Sequence, residues 1–147
     1  MYQNVLIPVD GSEYAFKALD LAVDLAAKDN ATIWLLHVVP HTEVPEDIKK
    51  WAEIEHVDTP TALYGNTVGD NILTAAEDRA SMRGAEKIEK CLEHGNAARL
   101  IMQVARRIGA DAIVMGSRGL SDFQGLLMGS VAHRVSHGAE CTVVTVK

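Results

Sequence analysis

The fold is constrained most by a series of short apolar runs that alternate with segments of helical periodicity. The five runs predicted as strands are Val5–Val9, Ile33–Val39, Ile88–Glu93, Ala112–Met115 and Thr142–Val146. Runs this short and this apolar are typical of parallel strands that are buried on both faces. The third run carries several charged residues, which indicates an edge strand or a half-exposed position.

A helical pattern follows each of the first four strands, because apolar residues recur there every three or four positions. The predicted helices are one that begins after Ser12, Val68–Met82, one between Asn96 and Gly109, and Val131–His137. Ser12 and Asn96 are suitable N-caps, and Gly84 and Gly109 are suitable terminators. Strands that alternate with helices predict an α/β fold: an open, five-stranded parallel sheet with helices on both faces, in a Rossmann-like arrangement. In such sheets ligands bind beyond the carboxyl ends of the strands.

The pattern weakens between His41 and Asn66, where prolines, a glycine and many polar residues interrupt it. Within this stretch, Ile48–His56 is compatible with a short helix. We interpret the stretch as an excursion from the sheet and not as a domain boundary. Residues 1–147 are therefore predicted to form one domain.

Composition limits the environments and partners that suit this chain. In 147 residues, no apolar stretch reaches the roughly 20 residues that a membrane-spanning helix needs. A formal net charge of -6 and the lack of a Lys/Arg run argue against binding to nucleic acid or to a membrane surface. The amino terminus has no secretory pattern, and Cys91 and Cys141 are too few for a disulfide framework. We therefore expect a cytoplasmic protein with reduced thiols.

A glycine-rich segment follows the fourth predicted strand. It consists of Gly116–Gly119 (Gly-Ser-Arg-Gly), nine further residues, and the pair Gly129 and Ser130 at the start of the last helix. Glycines permit positive φ and a close approach to the main chain, so that successive N–H groups can converge on an anion. The helix amino terminus and the Ser130 hydroxyl add further donors. The segment lacks the lysine of a Walker loop and the clustered glycines of a dinucleotide fingerprint, so it predicts a different anion-binding loop.

This Gly-x2-Gly-x9-Gly-Ser pattern, set between a buried strand and a helix, resembles the ATP-binding signature of the universal stress protein family. The segments Val5–Ser12, Leu36–Val38 and Ala110–Ser117 resemble that family's first, second and fourth strands. The resemblance covers nearly the whole chain, and His41–Asn66 is its least matched part. Asn96 stands where the family commonly has an Asp before a Pro, and it keeps the helix cap. The resemblance implies a Rossmann-like sheet of the adenine nucleotide alpha hydrolase type.

The resemblance also implies an adenine nucleotide site that can be given residue by residue. The loop after the first strand would lie against the nucleoside, with Asp10 near the ribose or phosphate, and the main chain of Val38 would bond the adenine edge. The implied nucleotide-binding residues are Pro8, Val9, Asp10, Val38, Met115, Gly116, Gly119, Gly129, Ser130, Val131 and Ala132. The implied ligand is ATP or another adenine nucleotide. Mg²⁺ would be held mainly by the phosphate oxygens, since no carboxylate cage is evident in the sequence.

Several polar residues have structural alternatives to a role at this site. Asp10 could cap the turn after the first strand, and Arg118 is left out of the site because an exposed loop arginine is more often solvated. His37 lies within an apolar strand and is expected to be structural. His133 and His137 are one helical turn apart, but no third metal ligand is evident. The sequence therefore predicts neither a protein-held metal nor a catalytic residue.

Three functions remain open at this level. The first is a nucleotide-dependent regulatory or stress-response protein, with slow ATPase activity as a variant of it. The second is an ATP-hydrolysing or adenylyl-transferring enzyme, which is disfavoured because no positioned base is evident and because Asp10–Ser12 stands where adenylyl-transferring relatives usually carry Ser-Gly-Gly. The third is a partner-binding dimer that ignores nucleotide. The resemblance and an apolar last strand predict a homodimer that pairs through Thr142–Val146, and a further protein partner remains open.

Overall fold

Five parallel strands form the sheet at the centre of the molecule, as seen in a computed structural model that describes residues 1–41, 47, 50, 53–55, 60–120, 122 and 127–147. The strands are Asn4–Pro8 (β1), Thr32–Val39 (β2), Ile88–His94 (β3), Ala112–Gly116 (β4) and Thr142–Val146 (β5). The helices with defined bounds are Glu13–Asp29 (α1), Pro60–Met82 (α2), Ala97–Ile108 (α3) and Ser130–Gly138 (α4). Each predicted strand is present, and the observed ends differ from the predicted ones by at most one residue.

The strands lie in the order β3-β2-β1-β4-β5. Leu6 in β1 is in register with Trp34 in β2 on one side and with Ile113 in β4 on the other. The chain first builds the sheet outward from β1 through β2 to β3, and then crosses over to add β4 and β5 on the opposite side. This reversal places a topological switch point between β1 and β4, where ligands of open α/β sheets usually bind. The predicted fold class is confirmed.

Side chains alternate across the strands, so the sheet has one apolar core on each face. On one face, Val5 and Ile7 pack with residues of α1 and α2, such as Leu19 and Leu73. On the other face, Leu6 packs with residues of α3 and α4. Each buried Leu or Ile contributes about 1.5–3 kcal/mol through removal of its apolar surface from water. Packing on both faces explains why β1 is an apolar run without alternation.

Helix ends follow the predicted capping chemistry. The Ala15 N–H donates to Ser12 Oγ at 3.2 Å, and the Arg99 N–H donates to Asn96 Oδ1 at 3.0 Å. Gly109 ends α3 with φ of 63°, a left-handed conformation that glycine adopts without a Cβ clash. These caps fix where the chain leaves β1 and β3, and therefore where the loops at the carboxyl edge of the sheet begin.

The start of α2 was predicted at Val68, and this was wrong because the helix begins eight residues earlier, at Pro60. Proline is well suited to the first turn of a helix, since its missing N–H has no intrahelical partner there. A Cβ on Gly69 would lie 2.7 Å from Leu92 Cδ1, so this glycine lets α2 pack closely on the sheet. The predicted short helix at Ile48–His56 lies largely outside the described residues. No helix within the described part of the chain is long and apolar enough to cross a membrane.

Candidate functional site

A cleft of about 670 Å³ opens at the carboxyl edge of the sheet. Its walls are the ends of β1, β2 and β4, the loop between β3 and α3, and the first turn of α4. The residues that line it are Pro8, Val9, Asp10, Ala15, His37, Val38, Pro40, His41, Gly95, Asn96, Ala97, Ile101, Met115, Gly116, Ser117, Arg118, Gly119, Leu120, Asp122, Ser130, Val131 and Ala132. The cleft therefore lies over the switch point between β1 and β4, and its size is within the usual range for small-molecule sites.

The structure brings together all but one of the predicted site residues as lining of this cleft. Gly129 is the exception, because it lies just behind the lining. Its N–H donates to the Ser117 carbonyl oxygen at 2.6 Å, and its own carbonyl oxygen accepts from the His133 N–H at 3.0 Å. Gly129 thereby joins the end of β4 to the start of α4 and fixes the direction in which Ser130 enters the cleft.

The signature glycines Gly116, Gly119 and Gly129 do not have positive φ, so the prediction that they supply this backbone conformation was wrong. The described glycines with positive φ are Gly11, Gly84, Gly95 and Gly109, whereas Gly129 has φ of -72°. The signature glycines instead leave room for other atoms of the protein, and the close approach of a ligand to their main chain stays a prediction. The clearest case is position 116, where a Cβ would meet main-chain atoms and not only side chains.

Gly116 lets the end of β4 pack against the start of α1. A Cβ on Gly116 would lie 2.7 Å from Tyr14 Cβ and 3.0 Å from the Arg118 carbonyl oxygen, both closer than side-chain carbons normally come. The Ser117 N–H also donates to the Val146 carbonyl oxygen at 2.7 Å. The turn that leads into the cleft is therefore held between α1 and β5.

Asp10 connects the turn after β1 with the loop after β4. Its Oδ1 accepts from the Ser12 N–H at 2.8 Å, and its Oδ2 accepts from the Leu120 N–H at 3.2 Å. A Cβ on Gly119 would lie 2.7 Å from Asp10 Oδ2, so the missing side chain at position 119 makes room for the carboxylate. Asp10 therefore caps the turn after β1, which was the alternative role considered from the sequence. The same side chain also lines the cleft.

Asp122 is a cleft residue that the sequence did not reveal. Its Oδ2 accepts from the Gly119 N–H at 2.5 Å. A Cβ on Gly129 would lie 2.7 Å from Asp122 Cγ, so the carboxylate fits beside the α4 terminus only because position 129 is glycine. Asp122 belongs to the nine-residue spacer of the signature, which carries no periodicity from which its position could be inferred.

The first turn of α4 faces the cleft through Ser130, Val131 and Ala132. An α-helix leaves its first N–H groups without intrahelical partners, and its dipole makes this end positive. Gly129 is the N-cap and provides no side-chain acceptor to occupy those groups. This terminus therefore has the donors and the electrostatic sign that an anionic ligand requires.

Ser117 and Arg118 form the least satisfied part of the site. Ser117 is only 2% exposed, and its Oγ has no hydrogen-bond partner among the described residues. Arg118 Nε is likewise buried and unpartnered within the described part of the chain. The Arg118 guanidinium lies 5.1 Å from the centre of the Tyr14 ring, a cation–π geometry that keeps its charge beside the cleft. Arg118 had been left out of the predicted site, but it lines the cleft.

The end of the cleft away from α4 is formed by β2 and by the loop before α3. His37 is buried there, and its Nδ1 lies 2.7 Å from the Val9 carbonyl oxygen. Because a carbonyl oxygen only accepts hydrogen bonds, Nδ1 must carry the proton and donate it. His37 thus ties β2 to the end of β1, which is the structural role expected from the sequence.

His133 and His137 lie on α4 with ring centroids 4.3 Å apart. The His137 Nδ1 is 2.9 Å from the His133 carbonyl oxygen, which engages one ring nitrogen within the helix. Among the described residues there is no group of three or more His, Cys, Asp or Glu side chains placed to hold a metal ion. The charged groups among the described lining of the cleft are one guanidinium and two carboxylates, beside main-chain amides and the neutral side chains of His, Ser and Asn residues.

A model of the universal stress protein family matches residues 1–147. The chain belongs to this family. A universal stress protein of Bacillus subtilis, YxiE, is 32% identical over 149 residues that cover all of both chains. The family assignment made from the glycine signature and the strand segments is confirmed.

Solved structures of family members have the same fold. A universal stress protein in complex with cAMP is 30% identical, with a TM-score of 0.73 and coverage of 99% of this chain and 97% of that one. A universal stress protein from Archaeoglobus fulgidus is 25% identical, with a TM-score of 0.71 and full coverage of both chains.

Proposed function

We propose that the chain binds an adenine nucleotide, ATP in particular, in the cleft at the carboxyl edge of the sheet, and that occupancy of this site regulates a cytoplasmic stress response. The observation that carries the proposal is the convergence of amide donors on one cleft. The loop at Gly119 and the first turn of α4 at Ser130 both line it. The α4 turn supplies N–H groups that lack intrahelical partners, and the Gly119 N–H, which Asp122 occupies in this structure, is a further donor, so no basic protein is required. The 30% identical relative with bound cAMP supports an adenine nucleotide as the ligand.

The proposed orientation follows from the chemistry of the walls. Phosphates would lie at the α4 terminus, because that wall has the positive end of a helix dipole and the Arg118 guanidinium. The base would lie at the opposite wall, where the main chain of Val38 offers donors and acceptors for the adenine edge. Asp10, between these walls, would meet the ribose. These assignments use the residues predicted from the sequence and add Arg118 to them.

Any Mg²⁺ is proposed to arrive with the nucleotide. The two carboxylates of the cleft, Asp10 and Asp122, already accept main-chain hydrogen bonds, and the described residues offer no carboxylate cage. The residues present therefore fit an ion held mainly by phosphate oxygens. When bound, such an ion supplies charge neutralisation between the phosphates.

Regulation by occupancy is favoured over rapid catalysis. Efficient phosphoryl transfer requires a positioned base or water in addition to charge stabilisation. Asp10 accepts one amide hydrogen bond on each carboxylate oxygen, which engages it in joining the turn after β1 to the loop after β4. Slow ATPase activity remains the second candidate, and a turnover of about 1 per second or faster would favour an enzyme instead.

We also propose a homodimer that pairs through the free edge of β5. The two edges of the sheet differ in charge: β3 carries Glu89, Lys90 and Glu93, whereas β5 is Thr-Val-Val-Thr-Val. Charged residues protect an edge strand from pairing, and an uncharged apolar edge invites it. Light scattering should give the mass of two 15.9 kDa chains, and a monomer at working concentration would refute the dimer. The third candidate, a dimer that ignores nucleotide, would show this mass without any nucleotide binding.

Titration calorimetry with ATP, ADP and AMP in the presence of Mg²⁺ tests the proposed ligand. The variant Ser130→Glu places a carboxylate at an exposed position of the α4 terminus. The helix dipole is favourable to this charge, so the fold is kept, but the carboxylate repels a bound phosphate. We expect saturable binding to the wild type and a loss of about tenfold or more in Ser130→Glu. Ser136→Glu is the matched control, since it adds the same charge at an exposed position later in the same helix. Absence of saturation for every adenosine phosphate would contradict the proposal.

A further inference from the structure

The most unusual feature of the cleft is the position of the Asp122 carboxylate within the anion-binding loop. Its Oδ2 accepts the Gly119 N–H at 2.5 Å, and Gly119 is one of the residues whose amide is expected to serve a phosphate. Its Cγ also lies 2.7 Å from where a Cβ on Gly129 would be, which brings the carboxylate next to the α4 terminus. An anionic oxygen of the protein itself therefore accepts an amide hydrogen bond in the loop where the signature implies a phosphate.

We propose that Asp122 is an internal competitor for the phosphate position and thereby sets which nucleotides the cleft admits. This inference rests on the proposed nucleotide-binding function. A carboxylate and a phosphate are both anionic acceptors and use the same amide donors and the same helix dipole. Two like charges cannot share one set of donors without repulsion, so a bound phosphate must displace Asp122 from the Gly119 N–H.

Asp122, and not Asp10, is the carboxylate that leaves. Asp10 is held by two amides from different segments, Ser12 and Leu120, and so forms part of the junction between β1 and the loop. Among the described residues, the Asp122 carboxylate accepts one hydrogen bond, from an amide only three residues away. Displacing Asp122 therefore breaks one local contact, whereas displacing Asp10 would disconnect two segments of the fold.

The neighbouring polar groups fit an arrangement in which a phosphate has replaced the Asp122 carboxylate at the Gly119 N–H. Ser117 Oγ and Arg118 Nε are buried without partners in the described part of the chain, and both lie in the segment that leads to Gly119. Leaving buried polar groups unpaired is costly. A phosphate oxygen in the cleft supplies an acceptor beside Arg118 that the Asp122-bound arrangement does not.

Competition of this kind discriminates by ligand charge. A neutral nucleoside can occupy the base and ribose walls without displacing Asp122. A nucleotide must displace it, and the repulsion grows with the number of phosphate charges near Gly119. Removal of the Asp122 charge should therefore strengthen ATP binding most, AMP binding less, and adenosine binding hardly at all.

The test is calorimetric titration of adenosine, AMP and ATP into the wild type, Asp122→Asn and Glu86→Gln, with folding checked by thermal melting. Asp122→Asn keeps the size of the side chain and removes its charge. Glu86→Gln removes the same charge from an exposed position before β3, at the opposite edge of the sheet. We expect ATP affinity to rise about tenfold or more in Asp122→Asn, with adenosine unchanged and Glu86→Gln like the wild type.

Each outcome separates the inference from the function on which it rests. If the wild type binds ATP and Asp122→Asn binds it equally or more weakly, Asp122 is not a competitor although the site binds nucleotide. An equal gain for adenosine and ATP would also overturn the inference, because the effect would not depend on phosphate. If neither protein binds any adenosine compound, the proposed function fails together with the inference.

Discussion

Polar groups at the amino ends of the strands, here called the amino edge, differ in their hydrogen bonding from those at the carboxyl ends, the carboxyl edge. At the amino edge, Asp111 Oδ2 accepts the N–H groups of Gln3 at 2.6 Å and Asn4 at 2.8 Å. Trp34 Nε1 donates to Asn4 Oδ1 at 2.9 Å, so a second strand is tied to the same point. At the carboxyl edge, Ser117 Oγ and Arg118 Nε are buried without partners in the part of the chain that the structure describes. The polar groups described at the amino edge are paired, whereas the carboxyl edge combines connecting groups such as His37 and Asp10 with two unpaired groups beside a cleft.

The difference follows from the direction of the chain. In a parallel sheet with connecting helices, helix amino termini meet the carboxyl ends of the strands, and helix carboxyl termini meet the amino ends. A smaller cleft of about 370 Å³ lies near the starts of β4 and β5, and its wall includes Gly109 at the carboxyl end of α3. That helix end is negative and rich in carbonyl acceptors, so it does not suit phosphate. Cleft size and helix polarity therefore both favour the carboxyl edge as the place of the proposed anionic ligand.

The largest expected effect at the carboxyl edge is that of Gly116→Ala. A Cβ there would meet main-chain atoms of Tyr14 and Arg118, which cannot move aside as a flexible side chain can. We expect the free energy of unfolding to fall by about 1–3 kcal/mol, as measured by urea denaturation. Gly84→Ala is a useful contrast because no atom lies within 4 Å of its Cβ position, although its φ of +93° adds backbone strain. Stability equal to the wild type in Gly116→Ala would show that the turn is not confined between α1 and β5.

The next effect concerns the amino edge and depends on pH. Hydrogen bonds from the main chain of Asn4 and Gln3 hold the pKa of the Asp111 carboxyl below its ordinary value of 3.8. A lowered pKa in the folded state stabilises the fold above the ordinary value, and this contribution is lost as the pH falls through the lowered one. We expect Asp111→Asn to cost about 1 kcal/mol at neutral pH, as measured by denaturation.

The pH profile distinguishes this role from simple packing. The difference in unfolding free energy between wild type and Asp111→Asn should shrink as the pH falls below about 4, because the wild-type carboxyl then becomes neutral as well. A difference that stays constant down to pH 2 would contradict the assignment of the two charge-assisted bonds to Asp111.

The smallest effect compares two buried serines with opposite surroundings. Ser12 is 6% exposed and its Oγ accepts from the Ala15 N–H, whereas Ser117 is 2% exposed and its Oγ has no described partner. We expect Ser12→Ala to lose about 1 kcal/mol of unfolding free energy through loss of the cap. Ser117→Ala should lie between no change and a gain of about 1 kcal/mol, because it removes an unpaired buried hydroxyl. Equal destabilisation of both variants would remove the contrast between connected and unpaired polar groups.

Much of the fold could be predicted because the signals were local. Val5–Ile7 is a fully buried apolar run, and Ser12 and Asn96 are caps whose chemistry depends on residues three positions away. The start of α2 was missed because Pro60 and Gly65 interrupt the pattern before Val68, yet both lie in the helix, and the close packing of Gly65 on Val39 overrides propensity there. Contacts with distant partners carry no such local signal.

The candidate site shows the same division. The glycines and the α4 start were predicted from their spacing. Gly116, Gly119 and the α4 start line one cleft and Gly129 lies just behind it, while their role in nucleotide binding stays a prediction. Asp122 could not be foreseen, since its contact with the Gly119 amide depends on the path of the loop in three dimensions. The reason for a glycine at position 129 could not be predicted either. Its φ is not positive, and the lack of a side chain makes room for the Asp122 carboxylate.

The most direct test of the contrast between the two edges is a titration of ¹⁵N-labelled protein with ATP and Mg²⁺, followed by amide chemical shifts. The account predicts saturable shifts at Gly116, Gly119 and Ser130, with the amides of Gly109 and Cys141 at the opposite edge unmoved. Shifts centred on Gly109 and Cys141, or none at either edge, would contradict the claim that the carboxyl edge of the sheet is a nucleotide site.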